Sequence, residues 1–219
     1  MSNFMTKEKR ILLVANCLAE HGDSRFRRLY EFIELAGVEM ARRLLGAHYR
    51  EISALRDKDV TWPVFLERLD KISGRRGIEA VDLFFQLHGE RGRVRFFDRW
   101  VSAVDLGREI KKVAAPERLR LVYNFCCYGD SHSAAFLNAG FKTAIGALKV
   151  NTSAAVEYPL FCRLWPGTGS SPKTPLVISE VLRRADRPLP RLAQDLIARR
   201  YFGDADSKKI LKGNSSLTI

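Results

Sequence analysis

Several things are scarce in this chain, and each scarcity closes off a class of function. Long apolar runs are missing: no hydrophobic stretch approaches the ~18 to 20 residues of a membrane-spanning helix, so no membrane partner is expected. Cysteine is sparse. Cys17, Cys126, Cys127 and Cys162 are too few for a disulfide framework in 219 residues, and adjacent cysteines rarely bridge one another. A reducing, cytoplasmic location is therefore expected. His and Cys show neither CxxC nor HxxxH spacing, so no metal is expected. Negative charge is also short, with 25 Asp and Glu against 37 Lys and Arg. The resulting charge of +12 makes nucleic acid a conceivable partner, but no zinc-finger spacing or aromatic RNA-binding signature accompanies it, and a solvated basic surface is the favoured reading. Internal repeats, low-complexity tracts and linkers are absent. The start, Lys7-Glu8-Lys9-Arg10 before Ile11 to Cys17, has the basic-then-apolar order of a signal peptide, but the apolar patch is too short and Asn16 stands where a small residue should precede cleavage.

What is present is enough apolar content, 46%, for one well-filled core. Short apolar runs alternate with helix-length amphipathic segments, the pattern of a parallel sheet with crossover helices. The expected strands are Arg10–Asn16, His48–Ile52, Ala80–Leu87, Leu119–Phe125 and Lys142–Ala147. The third and fourth are apolar nearly throughout, as central strands covered on both faces must be. Helices are expected over Tyr30–Leu45, Thr61–Ser73, Ser102–Val113, Ser131–Asn138, Ser153–Trp165, Pro172–Arg184 and Pro190–Tyr201. Caps support three starts: Thr61 before Pro63, Ser102 with Asp105, and Ser171 before Pro172. The expected organisation is an N-terminal segment over 1–9, one α/β domain over 10–203, and a mobile polar tail over 204–219.

Two of the apolar runs end in reactive residues. Ala80 to Leu87 runs into His88-Gly89, and Leu119 to Phe125 runs into Cys126-Cys127-Tyr128-Gly129. Parallel strands direct their carboxyl ends to one edge of the sheet, so the two segments can meet there. A His beside a Cys is the minimum equipment for thiolate chemistry. Gly89 and Gly129 remove side chains beside each reactive residue, so substrate could approach backbone amides, the donors that acyl transfer needs for its oxyanion. The helix expected to begin at Ser131 would favour a nearby thiolate.

These parts, in this order, resemble the caspase-like (clan CD) cysteine peptidases, in which one hydrophobic strand ends in His-Gly and a later one in a small residue, the nucleophilic Cys, any residue and often Gly. The resemblance extends to Gly89 to Val94, similar to the hairpin after the family's His, and to Asn138 to Gly146, similar to a segment of bacterial members. Ile11 to Asn16 and Glu34 to Gly37 are similar to the first strand and the glycine near the first helix. It covers about Arg10 to Arg184, with only the two reactive blocks specific. It implies a three-layer α/β/α sandwich with a mostly parallel sheet, a bacterial-type single-domain member of the family, and hydrolysis of peptide bonds in a protein or peptide substrate with no cofactor. It makes Cys127 the nucleophile, His88 the general acid/base, and the amides of Gly89 and Cys127 the oxyanion hole.

Departures leave choices open. Cys126 stands where the family usually has Ala or Ser and is a second candidate nucleophile, although the register to Gly129 favours Cys127. Metacaspases and clostripain-like members carry an Asp near the nucleophile that selects Arg or Lys, but here Asn124 and Phe125 stand there, so basic-residue cleavage is not indicated. Caspases use Arg to select Asp, and the loop holding Arg25, Arg27 and Arg28 follows the first strand. The candidate substrate contacts are thus Arg25, Arg27, Arg28, Asn124 and Tyr128. His21-Gly22 could line the same cleft, and His132 is expected at the surface or site rim.

Two motifs fail. Gly129-Asp130-Ser131 could suggest a GDSL-type esterase, but no His follows His132 to act as base. Gly167 to Thr174 nearly spells a P-loop, but Pro172 replaces the essential glycine. The alternatives to a peptidase are an inactive caspase-like adaptor or scaffold and a nucleic-acid-binding protein. A homodimer is compatible with the sequence.

Overall fold

In the computed structural model, residues 6–167 and 176–219 are described. The chain runs β1 (Arg10–Cys17), α1 (Arg27–Leu45), β2 (Glu51–Arg56), α2 (Trp62–Gly74), β3 (Ala80–Glu90), β4 (Arg93–Arg95), β5 (Trp100–Ser102), α3 (Ala103–Val113), β6 (Leu119–Asn124), α4 (Ser133–Ala139), β7 (Thr143–Ala147), α5 (Ala154–Leu164), α6 (Ile178–Ala185), α7 (Pro188–Phe202) and β8 (Lys209–Gly213). The main sheet has the order β2-β1-β3-β6-β7-β8. All its pairings are parallel except β7 with β8.

Every residue of β1 and β6 is buried, because both sheet faces are covered. Alternation along β1 sorts its side chains. Ile11, Leu13 and Ala15 join a core with Phe65 and Leu69 of α2, Leu106 and Ile110 of α3 and Phe136 of α4. Leu12 and Val14 face a second core with Val38 and Ala41 of α1, Phe161 of α5 and Val181 of α6. The result is the expected three-layer sandwich. Two of the expected caps form: Thr61 Oγ1 accepts from Val64 N at 3.4 Å and Ser102 Oγ from Asp105 N at 3.0 Å.

Three expectations are corrected. The second strand starts at Glu51 rather than His48, since Gly46–His48 form a turn of 3-10 helix at the end of α1. The helix expected over Pro172–Arg184 is Ile178–Ala185 among the described residues; its first four residues, Ser171 and most of the failed P-loop segment lie outside them. The polar tail supplies an edge strand, with Ile145 opposite Leu211 and Gly146 opposite Ile210. Leu217 and Ile219 beyond it are buried. Lysines flank this strand, as suits an edge, so it reads as polar in sequence.

The chain moves outward from β1 to β2, then returns to place β3 on the other side of β1. This reversal is a topological switch point, and open α/β sheets hold ligands outside the carboxyl ends of the strands there. The residues just past β1 and β6, and the end of β3, meet at that edge.

Candidate active site

His88 sits where β3 changes partners. Up to Leu87 the strand pairs in parallel with β1. From His88 it pairs antiparallel with β4, His88 opposite Arg95, in the hairpin expected after the His. Its Nε2 lies 2.7 Å from the carbonyl oxygen of Leu18, the first residue after β1. A carbonyl can only accept, so Nε2 carries the proton and Nδ1 keeps a free lone pair. The Leu18 segment is itself held: Glu34 Oε1 on α1 accepts from the N–H groups of Leu18 and Ala19, the latter at 3.0 Å. Tyr30 meets the imidazole edge-on at 5.3 Å between centroids. Burial lowers the His88 pKa below its ordinary 6.5, and the Leu18 carbonyl partly offsets this.

The two cysteines diverge after β6. Cys126 is fully buried in the core shared with α2, α3 and α4, and burial pushes its thiol far up. Cys127 is half-buried and lines a cavity of about 730 Å³ together with His88, Gly89 and Tyr128. Burial raises the Cys127 pKa as well, opposed by the Asn151 N–H and by the charge of Lys209. Asn151 N donates to Cys127 Sγ at 3.4 Å, and Asn151 Nδ2 to the Phe125 carbonyl at 2.9 Å. Lys209 Nζ, fully buried and paired with Glu157, donates to Asn151 Oδ1 at 3.1 Å. The chain turns at Tyr128 with φ +54°, an uncommon conformation for a side-chain-bearing residue. The Cys127 N–H has no backbone acceptor among the described residues.

The structure brings together Cys127, His88, Gly89, Tyr128 and His21 around one cavity. It places other candidates elsewhere. Arg25, Arg27 and Arg28 are exposed and stand outside the cavity wall, with Arg25 held by Asp23 at 3.0 Å and Arg27 by Glu31 at 3.1 Å. Asn124 is buried under the Cys126-Cys127 loop, its Oδ1 accepting from Cys126 N at 3.1 Å. Its Nδ2 donates to His132 Nδ1 at 3.0 Å.

His132 is fully buried rather than at the surface. Its Nε2 donates to the Glu90 carbonyl at 2.8 Å, so His132 and Asn124 together tie the end of β3 to the loop after β6.

The glycines also act differently from expectation. A Cβ on Gly89 would stand 2.6 Å from the Cys127 carbonyl and 2.8 Å from the Cys126 Cβ, so this glycine is what allows the His and Cys segments to touch. One on Gly129 would meet the Gly146 Cα at 3.0 Å. Gly129 thus makes room for β7, not for substrate. The helix after Cys127 starts at Ser133, behind a 3-10 turn over Gly129–His132, and the groups acting on the Cys127 thiol are Asn151 and Lys209. Ser131 Oγ bridges the Tyr128 carbonyl at 2.7 Å and the Gly92 N–H at 3.0 Å, a loop brace.

Leu18, Glu34, Asn151 and Lys209 went unread in the sequence. A carbonyl has no sequence signature, and the others act across 16 to 82 positions that only the fold closes. Among the described residues no three His, Cys, Asp or Glu side chains gather as a metal site would require, and no helix is long and apolar enough to cross a membrane.

No protein-family model matches the chain, and no curated protein matches it in sequence. Solved structures do match. Caspase-1 from Spodoptera frugiperda aligns with a TM-score of 0.60 at 9% identity, over 96% of this chain and 88% of that one. The Drosophila initiator caspase Dronc aligns with a TM-score of 0.60 at 12% identity, over 98% and 83%. A secreted C11 cysteine protease from Bacteroides thetaiotaomicron, solved with an irreversible peptide inhibitor, aligns at 14% identity over 75% of this chain with a TM-score of 0.48, and this chain spans 55% of its length. The fold is caspase-like.

Proposed function

We propose that the chain is a cysteine endopeptidase that works through an acyl-enzyme on Cys127 with His88 as general acid and base. The observation that carries this reading is the hydrogen bond from His88 Nε2 to the Leu18 carbonyl, which leaves Nδ1 as the base in the cavity that Cys127 lines. Burial disfavours charge on both partners, raising the thiol and lowering the imidazole. The resting pair is therefore a neutral thiol and a neutral imidazole.

The chemistry follows from that starting state. As Sγ attacks the scissile carbonyl carbon, His88 Nδ1 takes the thiol proton, so no buried charge forms ahead of the reaction. The carbonyl oxygen becomes an oxyanion, received by the N–H groups of Gly89 and Cys127. Collapse breaks the C–N bond, and the imidazolium returns its proton to the departing amine. A water, deprotonated by His88, then hydrolyses the thioester and regenerates the thiol. Asn151 and Lys209 stabilise the negative charge that Sγ carries only in passing, as it loses its proton in the attack and again as it leaves the acyl carbon in deacylation.

The test is hydrolysis of a proteome-derived peptide mixture, read by mass spectrometry. The purified chain should cut it, and Cys127→Ala and His88→Ala should each lose on the order of 10⁴-fold or more in rate. Cutting that persists in Cys127→Ala would overturn the assignment.

A further inference from the structure

The caspase-like architecture alone leaves open which residue a substrate presents for cleavage, and the wall of the cavity bears on this directly. Its apolar lining includes Phe26, Leu29, Tyr30, Phe125, Val150 and Tyr158, of which Tyr30 packs edge-on against His88. Small residues keep the space open: Ala36 on α1, Ala154 and Ala155 at the start of α5, and Ala198 on α7 all line it without filling it. No Lys or Arg side chain stands among the described lining residues. Two carboxylates do, Asp23 and Glu90, but each already has a guanidinium partner, Arg25 at 2.6 Å and Arg93 at 2.5 Å.

We infer that the residue donating the scissile carbonyl is large and apolar, of the Leu, Met or Phe class, a reading that rests on the peptidase assignment above. A substrate carboxylate entering this cavity would be stripped of water and find no cation among the described lining residues, the charge of Lys209 behind Asn151 being already paired with Glu157. A substrate guanidinium or ammonium would have to displace an existing ion pair. Unpaired burial of either charge is strongly unfavourable, whereas an apolar side chain gains from transfer out of water. The cavity of about 730 Å³ falls in the ordinary range for ligand sites and exceeds what one side chain needs. Neighbouring apolar residues of the same peptide fit the remainder, towards Phe26 and its edge contact with Tyr201 at 5.9 Å.

The experiment compares peptidyl acyloxymethyl ketones that differ only at the residue next to the reactive carbonyl: Leu, Phe, Asp or Arg. Labelling of Cys127 by the Leu and Phe probes should outpace the Asp and Arg probes by on the order of tenfold to a hundredfold. Faster labelling by Asp or Arg overturns the inference. Ala155→Trp, on the exposed rim of α5, should erase the apolar preference by filling the cavity, and an unchanged preference in it counts against the inference. If no probe labels Cys127, the peptidase reading fails, and binding decides the cavity's preference by itself. Fluorescein-tagged versions of the same four peptides, ending in plain amides, are titrated against Cys127→Ala by anisotropy. Tighter binding of the Leu and Phe peptides supports an apolar recognition site, and equal or weaker binding overturns it.

Discussion

The two edges of the sheet bury polar groups in opposite ways. At the amino edge, Asp82 near the start of β3 is fully buried and paired with Arg120 near the start of β6, Nε to Oδ1 at 2.8 Å. Tyr49 donates to the same carboxylate, Trp165 Nε1 donates to Tyr49 Oη at 3.1 Å, and Arg120 Nη1 donates to the Thr218 carbonyl at 2.8 Å. The strand register skips Arg120 between Leu119 and Leu121, a bulge that re-aims its side chain. Burial works against the Arg120 charge, but Asp82 and Tyr49 more than offset it, and its pKa ends above the ordinary value. At the carboxyl edge, burial instead holds His88 and Cys127 uncharged beside an open cavity. The amino edge holds charge permanently at Asp82 and Arg120, whereas at the carboxyl edge the His88 and Cys127 side chains are kept uncharged in front of a buried Lys209–Glu157 pair. On the proposed function, the ion pair of Asp82 and Arg120 and the reacting groups lie at opposite ends of the same strands.

The largest effect that would sharpen this contrast is on stability. Asp82→Ala leaves a buried guanidinium without its carboxylate and should cost about 3 to 5 kcal/mol, read from urea unfolding. Cys127→Ala should change stability by less than about 1 kcal/mol while removing activity. Equal destabilisation by the two substitutions would break the division between edges.

A smaller effect concerns Glu34, a positioning residue that acts on His88 through the Leu18 segment. Glu34→Ala should lower kcat by up to about 10²-fold with little change in KM, since misplacement of a base costs rate rather than binding. Glu34→Gln keeps an acceptor oxygen and should restore most of the rate. A purely structural role would move unfolding and leave the kcat-to-KM split unchanged.

The mildest effects are in pH dependence. With the His88 pKa lowered from 6.5 and that of Cys127 raised from 9.0, the rate should rise with pH through a midpoint below 6.5 and stay level to beyond 9.0. A preformed thiolate–imidazolium pair would instead keep alkylation fast to about pH 4. Stability has a matching sign. His88 and His132 both bind protons less readily folded than unfolded, so their contribution is whole above 6.5 and erodes as pH falls below it. Denaturation midpoints measured between pH 7.5 and 5 check this.

Legibility in the sequence followed burial. The runs that became β1, β3, β6 and β7 are apolar because both faces are covered, and their ends were readable to within a residue or two for β1 and β6. The edge strands were not. Glu51 to Arg56 carries alternating polar residues, so a strand was expected there but set three residues early, and Lys209 to Gly213 contains two lysines and was read as part of the polar tail. At the candidate site, the meeting of His88 and Cys127 at one cavity was legible because each follows an apolar run that ends at the same edge of the sheet. Asn124 and His132 were misjudged for a common reason: polar residues beside a motif were read as facing substrate, whereas here they satisfy each other beneath it. The three arginines after β1 carry the right charge for acidic substrates, but the apolar Phe26, Leu29 and Tyr30 interleaved with them are what turn inward.

The central claim is that a single thiol, Cys127, reacts, and that His88 makes it do so. Its most direct test is to label the native protein with a peptide electrophile and locate the adduct by mass spectrometry. The adduct should fall on Cys127 alone, form at an unchanged rate in Cys126→Ser, and slow by at least about 10²-fold in His88→Ala. An adduct on Cys126, or an undiminished rate without His88, would contradict it.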